Sequence, residues 1–508
     1  MLPRAALAAV LLLAAGGTGT AAAVAAGAAS VRAAPEAAAA AAGVATAAAA
    51  VPPPAGRAPA SREADAGGDP FAGLARLERE TLLRAVVERN PSLEAARQAW
   101  RAADARRGGR QELPDPTLAL AATPFAHGGG TAAFAASVEL RQPLPLASRR
   151  RLGTAVAAAQ TAGVLAGYRA ALVELVAAAS LLYDDYYMVY RQLALNAEHL
   201  RLAEEMRRAA TDRYAAGLGP QRQALQAEIE TARLLHRQTE LAAERELLAI
   251  RIQGMVHSSA SRPLPPPPER LPAPPITGAA PASEAEQIAL AQSPEVAARR
   301  AAADARRADL ELARLARRPD LELMGLYDSR WPAAGQRFLA GVAVGLPVRG
   351  ERAAADRTAA EALLAQAESE RSAAEDQVRA EARIAALRLD EADHVREIYQ
   401  DRLLPASRDQ LQAARASFEV GQGSFESVIE AERDLRDVEI GGEQALVDLY
   451  RRQTELDRVL GRLPPGVEPA GGPPVTAPSP RAAASRSGQA PAVAGDPGRP
   501  GDGRGDAP

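Results

Sequence analysis

The chain has 508 residues, enough for two or three ordinary domains, and its formal net charge of -3 argues against a nucleic-acid-binding surface. Cysteine is absent, which excludes disulfides, thiol catalysis, cysteine zinc sites and an acylated N-terminal cysteine. Charged residues make up 24% and aromatic residues only 3%, and this Ala-, Leu-, Glu- and Arg-rich composition is typical of long helices.

The two ends of the chain are predicted to lie outside the folded part. Residues 1–27 carry one Arg, an apolar stretch and then small residues, which indicates a secretory signal peptide. A transmembrane anchor is the alternative, although the second half of this stretch is only weakly apolar. The Ala/Pro-rich leader (28–70) and the Pro/Gly/Ala/Ser-rich tail (464–508) are predicted to be disordered.

The remainder reads as two similar halves. A proline-rich linker, residues 263–282, separates residues 71–262 from residues 283–463. Four landmarks recur in the same order about 200 residues apart, which predicts an internal duplication. They are Asn90-Pro91 with Ser293-Pro294, Pro114-Asp115 with Pro319-Asp320, Leu144-Pro145-Leu146 with Leu346-Pro347-Val348, and Gly217-x-Gly219 with Gly421-x-Gly423.

Each half is predicted to begin with one helix, over residues 78–112 and 283–317, followed by two strands. The strands of the second half place Phe338, Val342 and Val344 on one face at a period of two. About ten residues per strand is the length that a tilted strand needs to cross a bilayer. Four strands cannot close a barrel alone, so their edges need partners.

A long helix follows the strands in each half, over residues 147–216 and 351–420. About 70 residues at 1.5 Å per residue give a helix roughly 100 Å long. The glycine pairs are predicted to end these helices, because glycine adopts the left-handed conformation easily. Last helices, near residues 220–256 and 424–460, carry heptad repeats that predict left-handed coiled-coil packing.

No catalytic or metal-binding pattern is apparent. The five histidines lie on different elements without ligand spacing, and no Ser/His/Asp set is visible. We therefore expect no enzyme activity, no cofactor and no metal site. The histidines are His127, His199, His236, His257 and His394.

Several stretches together resemble the TolC family of outer-membrane efflux proteins, over about residues 78–463. They are RYAAGLGPQRQALQAEIETARL, SFEVGQGSFESVIEAERDLRDV, VELRQPLPLASRRRLGTAVAAAQ, RRPDLELMGLYDS and GVAVGLPVRGERAAADRTAAEALLAQAE. The resemblance implies a mainly α chain with a small β part: a long coiled-coil α-helical barrel, and four strands that contribute to a trimeric 12-stranded transmembrane β-barrel.

The resemblance also implies a role and partners. The protein would be a homotrimer in the outer membrane with a periplasmic extension, in contact with outer-membrane lipids. It would act as a passive exit duct that docks to a periplasmic adaptor and an inner-membrane transporter, with the resistance–nodulation–division type as the closest match. Metal ions, drugs and secreted proteins all remain open as cargo.

The resemblance assigns site residues at the periplasmic tip. The turns Gly217–Gly219 and Gly421–Gly423 would be where the adaptor docks and the tunnel closes. Family members can carry acids one helical turn apart just beyond the second turn. Here Glu430 matches the later position, Ser427 occupies the earlier one, and the neighbouring Glu426 can substitute. The alternative is that both glutamates are solvated surface charges.

Pro405 lies inside the second long helix and removes one intrahelical hydrogen bond, so a kink is predicted there. Such a kink would make the two halves of the periplasmic tip inequivalent, and an opening movement of the tip could use that difference. The alternative is that the kink is a tolerated local bend. A different class of protein also fits the helices: a soluble or peripheral coiled-coil scaffold of the cell envelope. That alternative accounts less well for two strand hairpins at equivalent points of a duplication.

Overall fold

The computed structural model describes residues 70–110, 112–126, 133–258, 263–274, 282–331, 335, 337–346, 350–420 and 422–468. The predicted signal peptide, the leader up to residue 69 and the tail from residue 469 lie outside the described residues. Gly421 also lies outside them.

The described chain is mainly helical with one small sheet, as predicted. Its elements, in chain order, are α1 (Arg79–Arg89), α2 (Pro91–Gly109), β1 (Thr117–Ala126), β2 (Ala133–Leu144), α3 (Ala147–Ala215), α4 (Gln221–Met255), α5 (Ala282–Gln292), α6 (Pro294–Leu315), β3 (Asp320–Asp328), β4 (Phe338–Gly345), α7 (Gly350–Ile398), a π-helical turn (Tyr399–Leu403), α8 (Leu404–Glu419) and α9 (Phe425–Leu460). They form two compact units: a sheet unit, residues 114–144 and 321–344, and a helical unit.

Each predicted first helix is in fact two helices. The breaks fall at Asn90-Pro91 and at Ser293-Pro294, where proline opens the second helix of the pair. A residue before proline is pushed out of the helical region, and Asn90 and Ser293 accordingly have ψ of 120° and 125°. The Asn90 side chain also caps α2 by accepting a hydrogen bond from the Ser92 amide at 3.0 Å.

The sheet unit is a four-stranded sheet in the order β1-β2-β3-β4. β2 pairs antiparallel with β1 and with β3, so the hairpins of the two halves join through β2 and β3. One face is apolar and exposed along all four strands, and it includes the predicted face of β4. It carries Leu118, Leu120, Val138, Leu140, Leu321, Leu323, Tyr327, Phe338, Val342 and Val344.

The helical unit is built around α3, which packs against α1, α2, α4, α6 and α9. Its main core lies where α1, α3 and α4 meet, around residues such as Leu82, Tyr183 and Ile252. Val467, inside the predicted tail, is 1% exposed and belongs to the same core. Ordered chain therefore continues past the end of α9.

Part of the predicted linker, residues 263–274, packs against the helices, and we call it the proline-rich strap. Tyr186 and Tyr450 donate hydrogen bonds to the carbonyls of Pro265 and Pro272, at 3.2 and 2.7 Å. Proline supplies no amide hydrogen but keeps a strong carbonyl acceptor. Tyrosine hydroxyls therefore satisfy a segment that cannot pair as a regular strand.

Pro405 is at the start of α8, directly after the π-helical turn. In that turn the Leu404 amide donates to the Tyr399 carbonyl, five residues back. The predicted disturbance of the long helix is thus a π turn. The ring of Tyr399 lies over α9 at Gly441, where a Cβ atom would come within 2.6 Å of it.

We expect Gly441→Ala to lower the free energy of unfolding by about 1–3 kcal/mol, because the added methyl group must displace Tyr399 in a packed contact. Gly254→Ala is the matched control: that position lies in α4 with open space around its Cβ, so alanine should be neutral or stabilising. Thermal unfolding followed by circular dichroism in detergent measures both. Equal midpoints for the two variants would show that Tyr399 moves without cost.

Candidate functional site: the glycine turns and the ion network between the halves

The first glycine turn closes α3. Gly217 has a φ of 72°, in the left-handed region where glycine carries no steric cost. The amides of Gly217 and Leu218 donate to the carbonyls of Tyr214 and Arg213, at 3.0 and 2.8 Å. These bonds satisfy the last carbonyls of the helix, as in a Schellman-type ending. Gly219 follows, where a Cβ would lie 3.2 Å from the side chain of Gln223.

The second turn leads from α8 into α9. The Gly423 amide donates to the Ser417 carbonyl at 2.8 Å, and a Cβ at Gly423 would come within 3.0 Å of the backbone of Ser417 and Phe418. Glycine is required here by the close approach of the chain to itself. Ser424 then caps α9 by accepting from the Ser427 amide at 3.0 Å.

The two turns lie together at one end of the helical unit. The Arg213 guanidinium is 5.1 Å from the centre of the Phe418 ring, and Phe418 packs against Phe425 at 5.8 Å. Leu218 and Val420, one in each turn, are 71% and 69% exposed. This end of the chain therefore presents two large apolar side chains to the outside.

The three predicted aperture residues have different surroundings. Glu426 forms an ion pair with Arg222 and accepts a hydrogen bond from Gln226 at 3.0 Å, so its charge is compensated from α4. The Ser427 hydroxyl donates to the Ser424 carbonyl at 2.7 Å and helps to cap α9. Glu430 is exposed and forms no ion pair within the described part of the chain. Its charge is partly offset by Arg433, one helical turn further along α9.

An ion network further along the same helices joins the two halves. His199 of α3 is 4% exposed and lies between two carboxylates of α9. Its Nδ1 is 3.0 Å from Glu432, and its Nε2 is 3.2 Å from Glu439. Arg415 of α8 pairs with Glu432 at 3.0 Å, and Arg408 pairs with Glu439 at 3.5 Å.

Both imidazole nitrogens face a carboxylate, which favours the doubly protonated ring. Burial by itself would lower the pKa of His199, but the hydrogen bonds to Glu432 and Glu439 outweigh it and raise the pKa to about 9. The same hydrogen bond to His199 lowers the pKa of Glu439. Near neutral pH the network is therefore an imidazolium held between two carboxylates.

A second buried pair reinforces this contact. Glu230 of α4 binds the guanidinium groups of Arg433 and Arg436 of α9, at 2.5 and 3.1 Å. Burial alone would raise the pKa of Glu230, but these hydrogen bonds lower it. The first half thus contributes two buried ions, His199 and Glu230, and side chains of the second half neutralise both of them.

The sequence did not reveal this network. His199 was one of five scattered histidines, and its partner Glu439 lies 240 residues away. Only the packing of α3 against α9 brings them together. In the described part of the chain, no group of three His, Asp or Glu side chains is arranged to hold a metal ion.

Comparison with protein families gives one match, over residues 286–462, to the outer membrane efflux protein family. Those residues are similar to the members of that family. The match covers most of the second half, from within α5 to just beyond α9. Comparison with the curated protein sequences finds no match.

Several solved structures of bacterial membrane proteins are similar to this chain. VceC of Vibrio cholerae has 17% identity and a TM-score of 0.64, with 76% of this chain and 96% of that chain covered. The open state of MtrE of Neisseria gonorrhoeae has 20% identity and a TM-score of 0.62, with 77% and 90% covered. A membrane protein of Pseudomonas aeruginosa has 21% identity and a TM-score of 0.65, with 76% and 91% covered.

The resemblance to TolC-type efflux proteins is therefore confirmed, by the family match over the second half and by the fold over both.

Stability should depend on pH through His199. The pKa of His199 is about 9 in the folded state against 6.5 for an ordinary histidine, so its contribution is complete below about pH 6.5 and is lost as the pH rises through 9. The difference corresponds to about 3 kcal/mol. We expect His199→Gln to lower the thermal midpoint at pH 6 and to have much less effect at pH 10.

The matched control is His236→Gln, because His236 is exposed and its ring lies 3.8 Å from Glu240. Its midpoint should follow that of the unsubstituted protein at every pH. A His199→Gln protein with the same pH profile as the unsubstituted protein would contradict the assignment of the charged imidazole.

Proposed function

We propose that the chain is the passive outer-membrane exit duct of a tripartite efflux or export system. The observation that supports this most directly is the sheet unit. Its strands are 8 to 12 residues long, near the length that crosses a bilayer at a tilt, and one face is largely apolar and exposed. Such a face is unfavourable in water and suited to lipid.

The sheet cannot be complete in one chain. β1 pairs only with β2, and β4 has only β3 as its neighbour in the order of the sheet, so both edges present unpaired backbone groups. Lipid cannot satisfy such groups, and membrane strands therefore require a closed barrel. Three copies would supply twelve strands and join edge to edge, which favours a homotrimer.

The two glycine turns are the proposed docking surface for a periplasmic adaptor. Leu218 and Val420 expose apolar surface there, and Gly217, Gly219 and Gly423 hold the turns in close, defined conformations. Gly421 is proposed to belong to the same surface. The adaptor would connect the duct to an inner-membrane transporter, for which we propose the resistance–nodulation–division type.

Glu430 is proposed to line the periplasmic aperture. Because Arg222 pairs with Glu426, a trimer would have three carboxylates without an ion pair in the ring rather than six. Such a ring attracts cations and repels anions. Ser427 would support it indirectly as part of the cap of α9. The π turn before Pro405 is proposed as the point where the end of the second long helix can bend.

We further propose that residues 71–262 and 283–463 are two copies of one ancestral unit. Matching proline breaks and matching glycine turns in the two halves support this. A soluble coiled-coil scaffold, the other candidate, has no use for a sheet with one exposed apolar face. The duct is therefore the function that we conclude.

Fractionation tests the duct first. We expect the mature protein in the membrane pellet, soluble only in detergent, at three times the chain mass after correction for bound detergent. It should also form conducting pores in planar bilayers. A water-soluble monomer or dimer would contradict the duct and favour the scaffold.

We expect Glu430→Gln to lower the cation preference of those pores and to weaken their block by divalent cations, because one carboxylate per chain is removed from the narrowest point. Glu397→Gln is the control. Glu397 is 55% exposed and lies near the end of α7, so the π turn and the whole of α8 separate it from the second glycine turn. Unchanged ion selectivity in Glu430→Gln would place Glu430 outside the aperture.

A further inference from the structure

Six arginines cluster where the helical unit connects to the strands, and we call them the arginine patch. They lie in two short segments, 145–151 and 312–319, which contain no acidic residue. The chain as a whole has a formal net charge of -3, so the positive charge of these two segments is a local excess. The members are Arg149, Arg150, Arg151, Arg314, Arg317 and Arg318.

The two segments meet in space. Arg149 stands in the first turn of α3, and its guanidinium donates to the Leu315 carbonyl at the end of α6, at 3.3 Å. It also forms an ion pair with Asp320. Arg149 thus joins the start of α3 to the end of α6, and this contact brings the two arginine-bearing segments together in the helical unit.

Two of the six arginines form ion pairs with carboxylates of the chain. Arg149 is compensated by Asp320, and Arg314 pairs with Glu311 at 2.6 Å. For the other four, no carboxylate partner is found in the described ranges. Arg151, Arg317 and Arg318 are exposed. The Nε atom of Arg150 is shielded from water and has no hydrogen-bond partner among the described residues.

Helix stability does not account for the patch. Cations are favourable near the C-terminus of a helix, which suits Arg314 at the end of α6. At the N-terminus they are unfavourable, yet α3 carries three consecutive arginines at its third to fifth residues and no acid in its first turn. An anion from outside the chain would offset their mutual repulsion.

Chain connectivity limits how far the patch can lie from the strands. Arg149 follows the last residue of β2, Leu144, by five positions, and Arg318 precedes the first residue of β3, Asp320, by two. An extended chain spans at most about 3.5 Å per residue, so both lie within roughly 18 Å of a strand end. If the strands cross the hydrocarbon, these arginines lie at or just outside the layer of lipid head groups.

We propose that the arginine patch binds anionic phospholipid head groups of the periplasmic leaflet of the outer membrane. Guanidinium groups bind phosphate through paired N–H donors, and arginine stems can lie along apolar chains while the charge reaches the head group. The lipid phosphates supply the negative charge that the chain itself lacks there. This inference rests on the proposed outer-membrane duct.

The test uses the full-length protein reconstituted in vesicles of equal phosphatidylglycerol and phosphatidylcholine, re-extracted in mild detergent, with the retained lipids counted by mass spectrometry. We expect an excess of phosphatidylglycerol, and we expect R151Q/R317Q/R318Q to lose it by about fivefold per arginine removed. High salt should release the same excess from the unsubstituted protein.

The matched control is R201Q/R208Q/R251Q, which removes the same charge from exposed positions elsewhere on the helices. It should retain the excess. Equal retention of both lipids by the unsubstituted protein, or an undiminished excess in R151Q/R317Q/R318Q, would overturn the lipid site, and would point to an acidic surface of a neighbouring copy as the partner.

Pore formation in purely zwitterionic bilayers separates this failure from failure of the duct. A protein that conducts there but retains no phosphatidylglycerol overturns the arginine patch alone. A protein that never enters vesicles overturns both.

Discussion

The close spacing of the helices is the constraint on which the helical unit depends, and alanine sets it. Buried alanines recur on α3, α6, α7 and α9, and the backbones approach so closely that a Cβ at Gly163 of α3 would be 3.8 Å from Ala301 of α6. Each alanine buries little apolar surface, so no single layer is strongly stabilised. Very long helices compensate by repeating the contact many times.

Aromatic side chains are concentrated at two places, where alanine is too small to make the contact. Tyrosines of α3 and α9 hold the proline-rich strap, and Phe418 and Phe425 hold the glycine turns together. Between these two places the halves are joined by buried ions, of which His199 and Glu230 are the clearest. A buried ion loses its water and is stable only beside its partners, so these contacts fix the register of α9 against α3 and α4.

The sequence predicted those features that depend on local chemistry. Asn90-Pro91 and Ser293-Pro294 were recognised as landmarks of the duplication, although only the structure shows that each divides a helix. Alternation in Phe338, Val342 and Val344 predicted the apolar face of β4 correctly, because strand periodicity is local. Features that join distant residues were out of reach: nothing near Glu426 indicates that Arg222 neutralises it. The strap was read as a linker because composition does not reveal which carbonyls a tyrosine will reach.

The π turn has a geometric consequence for the match between the halves. Pro347 and Gly421 lie 74 positions apart, two more than the 72 positions between Pro145 and Gly217, and the π turn accounts for one of these additional residues. One additional residue in a continuous α-helix would rotate every later side chain by about 100° and turn the packed face away from its neighbours. A π turn takes up the additional residue within a single turn, so the faces before and after it remain in phase. The second long helix can thus differ in length from the first and still present the same stripe to α9 along its whole course.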